Sequence, residues 1–219
     1  MSLLFWFLFP FLFSFPMAFR PPHVKRTRTA ALRQTAVQLG MEFLETDEWG
    51  LRALLRDFEL FNKGGRRRLT NIMSKTIGLL DEKINICDYQ YTVSTGQSST
   101  TYYQTIFFIQ SKNLGLPEML IYPENFFHKI GSLFGMQDID FEEWPEFSNK
   151  FLVQGDEWGI RRLMKEDLAK FFLVEKRWCL ESLGYYLVFY QRKTLVNPES
   201  IKALFNKGMT LYEHLKESN

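Results

Sequence analysis

The chain has 219 residues, of which 46% are hydrophobic and 24% charged, with 27 Lys and Arg against 25 Asp and Glu. Mixed charge at that level beside so much apolar residue excludes a largely disordered chain. Cys87 and Cys179 are its two cysteines, too few for a disulfide framework, and each sits in an apolar stretch that reads as the site of a buried reduced thiol.

The net charge of +2 hides an asymmetry. Ser2 to Phe19 carry no charge and are mostly Phe and Leu. Eighteen such residues rise about 27 Å as a helix, close to the thickness of a bilayer's hydrocarbon core. Pro10 and Pro16 count against an ideal helix, although spanning helices tolerate proline better than soluble ones. The next fourteen residues hold five cations, Arg20, Lys25, Arg26, Arg28 and Arg33, and no acid. The positive-inside rule then leaves the C-terminal side in the cytoplasm. A cleaved signal peptide is the rival, but no Lys or Arg precedes the apolar run and Phe-Pro-Met-Ala-Phe is a poor cleavage site. An apolar tail packed on another protein is a third reading. Residues 1–24 are thus expected to be a transmembrane or anchor segment, and residues 25–40 a basic juxtamembrane helix. Its cations would lie over anionic lipid. Nucleic acid is disfavoured as a partner, because no aromatic residues interleave the cluster.

Lys25 to Leu39 reads as a helix closed by Gly40, and Met41 to Glu45 as a short strand. A repeat follows. Asp47-Glu48-Trp49-Gly50-Leu51-Arg52-Ala53-Leu54-Leu55 returns as Asp156-Glu157-Trp158-Gly159-Ile160-Arg161-Arg162-Leu163-Met164, identical at six of nine positions. Each copy follows a short apolar stretch, so each predicts a strand, a turn and a short helix. The acids would sit at the helix N-terminus, and the Trp and the Leu or Ile two residues on would pack inward. Asp47, Trp49, Gly50, Arg52, Asp156, Trp158, Gly159 and Arg161 are therefore read as structural residues; the competing reading pairs both Trp and both Arg in one binding site.

Leu69 to Leu80, Ile84 to Ser94 and Thr100 to Gln110 read as strands joined by hairpins. Tyr89, Tyr91, Tyr102 and Tyr103 there are either cross-strand pairs or a recognition surface. Met119 to Tyr122 is a further strand and Pro123 to Phe134 a helix. Lys165 to Lys176 reads as a helix, Trp178 to Gln191 as a hairpin about Gly184, and Asn197 to Lys216 as a closing helix. The expected fold is α+β: antiparallel sheet with flanking helices, an internal duplication of a strand-helix-hairpin-helix unit, and halves at 41–150 and 151–219.

Recognisable chemistry is missing. Gly64-Gly65 lacks the spacing of a phosphate loop, and no serine sits in a nucleophile elbow. His23, His128 and His214 lie far apart from one another and from the cysteines, without metal-ligand spacing. Asp138-Ile139-Asp140-Phe141-Glu142-Glu143 imitates a calcium loop only in its first alternation. No cofactor is expected.

Leu39 to Phe43, Asp88-Tyr89-Gln90-Tyr91-Thr92, Gln137 to Glu142, Pro145 to Ser148 and Gly155-Asp156 together resemble a family of uncharacterised bacterial membrane-anchored proteins. The resemblance spans most of the chain after residue 25. It implies a tethered α+β domain and carries no catalytic residue. The expected function is a cytoplasmic binding or sensing domain on a single-pass anchor, with a protein partner. The alternatives are an enzyme assembled between the halves from Asp88, Arg52, Arg161 and the acidic run, or a secreted or periplasmic domain.

Overall fold

In the computed structural model the described residues are 22–78, 82–124 and 138–217. The expected anchor lies outside them except for its last three positions, as does most of the helix expected at Pro123 to Phe134. No described helix is long and apolar enough to cross a membrane.

The elements are α1 (Pro22–Leu39), β1 (Glu42–Thr46), α2 (Leu51–Leu54), α3 (Glu59–Asn62), β2 (Gly65–Ile77), β3 (Glu82–Ser94), β4 (Ser99–Gln110), β5 (Leu116–Pro123), α4 (Pro145–Ser148), β6 (Phe151–Gly155), α5 (Glu157–Leu163), α6 (Glu166–Val174), β7 (Trp178–Gly184), β8 (Tyr186–Gln191) and α7 (Ile201–Glu217). All eight strands form one antiparallel sheet in the order β1-β2-β3-β4-β8-β7-β5-β6.

Both faces of the sheet are covered, which explains the central strands. Ile106 to Ile109 of β4 pair with Leu187 to Tyr190 of β8, and all eight side chains are fully buried. A strand enclosed on both sides reads as a continuous apolar run rather than an alternating one. On one face α1 and α4–α7 pack over Met73, Ile84, Ile86, Phe107, Ile121 and Phe189. On the other, α2 and α3 pack Leu51, Leu55, Leu60 and Phe61 over Ile72, Cys87, Tyr89, Phe108 and Tyr190.

Helix α1 ends as its sequence suggests. Gly40 takes φ +61°, the Gly40 amide donates to Val37 O and the Met41 amide to Ala36 O, which is a Schellman closure. Helix α7 approaches β4 so closely at Gly208 that an added Cβ would stand 2.5 Å from the Phe107 ring.

The two copies of the repeated segment lie at opposite edges of the sheet, after β1 and after β6. Around them the halves differ in plan. The first half runs β1-β2-β3-β4 across the sheet, and the second β6-β5-β7-β8. Strand β5 precedes residue 150 in the chain, yet it pairs only with β6 and β7. The helices after the copies also cover opposite faces. The shared nonapeptide is thus a local likeness placed in two different surroundings.

Both cysteines are free and fully buried, and burial raises each thiol well above its ordinary pKa. The folded chain is expected to leave both unreacted with a thiol reagent such as Ellman's, and to release both together on unfolding in denaturant. Rapid reaction of either under native conditions would contradict the packing of β3 or β7.

Candidate functional site

The predicted residues scatter when placed on this frame. Arg20 lies outside the described residues. Lys25, Arg26 and Arg33 are exposed on α1, with Arg33 paired to Glu45. Arg28 corrects the lipid-facing expectation. Its side chain is only 10% exposed and points into the sheet. Arg28 stands four residues before Leu32 and eight before Ala36, on the inward stripe of the helix. There Nε and Nη2 donate to Asp88 at 2.8 and 2.7 Å, and Nη1 donates to Val196 O at 2.8 Å.

The repeat residues are structural in part. Leu51 and Ile160 are buried, as expected. Trp49 and Trp158 are not: they are 42% and 70% exposed, and Trp158 lies under the Arg162 guanidinium at 4.7 Å. Short helices turn only one residue in three or four toward the sheet, and the Leu or Ile takes that place. Identical Asp-Glu-Trp-Gly segments also fold differently. Asp47 accepts from the Leu51 and Arg52 amides at 2.7 and 2.9 Å, and Gly50 is left-handed at φ +69°. Asp156 makes no side-chain cap, and Gly159 is inside α5. Arg161 pairs with Glu157 and donates to Asp140 O.

The alternative reading, an enzyme site assembled from Asp88, Arg52, Arg161 and the acidic run, does not find those residues together. Strands β4 and β8 meet between the halves as solid apolar core. Asp88 is bound by Arg28, Asn71 and Thr105, while Arg161 stands near the β6 edge and Arg52 near the β1 edge. The acidic run protects an edge instead: Asp138 accepts from the Val153 amide, and the Ile139 amide donates to Val153 O. Tyr91 faces Tyr102 across β3 and β4 at 5.4 Å, and Tyr89 packs on Phe61 at 4.5 Å. These tyrosines are cross-strand and core contacts. Among the described residues no group of three or more His, Cys, Asp or Glu could hold a metal ion.

A different polar cluster lies on the α2–α3 face. Glu181 of β7 is 2% exposed. Its Oε1 accepts from the hydroxyls of Tyr122 and Tyr190 at 2.8 and 2.6 Å, and the Leu60 amide of α3 donates to the same carboxyl at 3.2 Å. Those hydroxyls are 2.8 Å from each other, and burial raises both phenols well above their ordinary pKa. Lys63 pairs with Glu59 at 3.5 Å beside this group. Burial lowers the Lys63 pKa and raises that of Glu59, in each case against the attraction of the partner charge.

Beside Glu181 opens a cavity of about 190 Å³, lined also by Phe58, Glu59, Asn62, Met119, Gln154 and Ser182. No Cys or His lines it, and the Ser182 hydroxyl donates to Pro117 O at 2.9 Å. The other ionisable groups on its wall are the carboxylates of Asp57, Glu59, Glu118 and Glu181. The cavity can hold a small group by shape and hydrogen bonding.

No family model matches the sequence, and no curated protein does. The fold does have a solved likeness. The chain superposes on the crystal structure of the mycobacterial trehalose monomycolate transport factor A, TtfA, with a TM-score of 0.60 at 11% identity, over 88% of this chain and 94% of that one.

Proposed function

We propose that this chain is a membrane-tethered accessory factor, an α+β domain held at the cytoplasmic face by residues 1–24 and engaging a partner protein in a transport assembly. The observation that carries the reading is the likeness to a transport factor over nearly the whole of both chains. Eighteen uncharged residues ahead of a basic segment supply the tether. Binding is favoured because the groups of the cavity best placed for chemistry are engaged structurally: Glu181 accepts from Tyr122, Tyr190 and the Leu60 amide, and the Ser182 hydroxyl is held by Pro117 O.

The test is topology. Reporters active on only one side of the membrane, fused after Asn219, are expected to give the cytoplasmic signal. Deleting residues 1–24 is expected to move the domain from the salt-washed membrane fraction to the soluble fraction. An external signal, or a truncated chain that resists the salt wash, would overturn the reading.

A further inference from the structure

One end of the sheet gathers cations from three separate stretches of chain. Strand β2 begins there, β3 turns into β4 there and β8 ends there: Gly65 pairs with Thr92, Ser94 with Ser99, and the Lys193 amide donates to Gln104. Helix α1 starts at the same end, where Lys25 Nζ lies 5.9 Å from the Tyr103 ring. Lys25, Arg26, Arg66, Arg68 and Lys193 are all exposed.

Lys193 Nζ stands 3.9 Å from the Tyr102 ring. Tyr102 and Tyr103 are successive on β4 and so point to opposite faces, which puts a cation–tyrosine pair on each side of the sheet's end. Arg66 and Lys193 both hold left-handed backbone, at φ 48° and 54°. Arg66 does so where the β2–β3 register shifts between Gly65 and Arg68.

The acids near this end are largely taken up. Glu45 pairs with Arg33, Asp47 caps the α2 amides and Asp88 holds Arg28, leaving Glu48. Asp138, by contrast, lies along β6 at the far edge, with Asp140, Glu142, Glu143 and Glu157 grouped around the same cleft. The acidic cleft and the cations at this end are thus set apart on the sheet, and this end is the one at which α1 begins.

We propose that this end, built from Lys25, Arg26, Arg66, Arg68 and Lys193, docks on the anionic headgroups of the membrane that residues 1–24 enter, with the sheet standing end-on. The proposal rests on the tethered reading above and adds a contact by the folded domain itself. Chain length supports it: five residues, Arg20 to Val24, separate Phe19 from Lys25, a reach of at most about 20 Å. That keeps the cations within a few Debye lengths of the surface. Tyrosine beside cation also suits a headgroup layer, where an amphipathic ring and a charge both find partners.

The experiment reconstitutes the full chain in lipid nanodiscs, zwitterionic or containing phosphatidylglycerol, and follows amide exchange. Residues 64–68, 92–100 and 192–195 are expected to exchange roughly fivefold more slowly in the anionic discs. Salt at about 0.5 M should erase the difference. So should the exposed-site variant R66E/R68E/K193E, whose fold is checked by circular dichroism. Equal exchange in both discs, with the chain retained in both, overturns the docking and leaves the tether standing. Chain recovered free of either disc overturns both. Protection of these amides by duplex DNA and not by anionic discs would also overturn the proposal and assign the surface to nucleic acid.

Discussion

Glu181→Leu is expected to lower the unfolding free energy by about 4 kcal/mol, read as a shift in the urea midpoint. The leucine fits the volume but removes the acceptor for three buried donors: the Tyr122 and Tyr190 hydroxyls and the Leu60 amide. An unpaired buried donor costs about 1–3 kcal/mol, whereas a satisfied one contributes only about 1 kcal/mol net. Glu181→Gln keeps a carbonyl oxygen there and is expected to cost only about 1.5 kcal/mol. The sharper test is a cycle. Adding Tyr122→Phe and Tyr190→Phe to Glu181→Leu removes both hydroxyls, of which one would be stranded and the other could still donate to its neighbour at 2.8 Å, and should recover part of the loss. A loss under 1 kcal/mol for Glu181→Leu alone, or no recovery in the combined variant, would show that the cluster does not anchor α3 to β7.

Glu181 also shows where sequence reading stops. Its partners lie 9, 59 and 121 residues away, so nothing local signals the cluster. One sign was available: a single carboxylate inside Trp178 to Leu183, in register with Cys179 on the same face of the strand. A strand buried on both faces can place such a residue only in the core.

Arg28 was legible in the same sense, because it keeps phase with Leu32 and Ala36. Its place in a run of cations hid that phase. The strands and most helices are plain in the sequence, since hydrophobic periodicity and glycine closures are local. Strand order is not local. Nothing in the nonapeptide repeat encodes that β5 inserts between β6 and β7 and so gives the two halves different plans.

Asp88→Ala should be nearly as costly, about 3–5 kcal/mol by the same measurement. Asp88 accepts from Arg28 Nε and Nη2, from Asn71 Nδ2 at 2.9 Å and from the Thr105 hydroxyl at 2.9 Å. Alanine would strand the guanidinium in a site where it is 10% exposed. Removing one partner of a buried pair costs far more than removing both, so the double variant Arg28→Leu/Asp88→Leu should fall well short of the single loss. Because the pair is buried, the effect of Asp88→Ala should change little with salt, unlike that of the exposed Arg33–Glu45 pair. The pair also joins three parts of the fold. Arg28 belongs to α1, Asp88 to β3, and Val196, which receives the third guanidinium bond, to the segment that leads into α7. Helix α1 is the link between the N-terminal segment and the sheet. Limited proteolysis of Asp88→Ala should therefore cut first within α1, before the sheet is attacked. Cleavage that begins elsewhere, or a loss below 1 kcal/mol, would mean that Leu32 and Ala36 alone hold the helix in place.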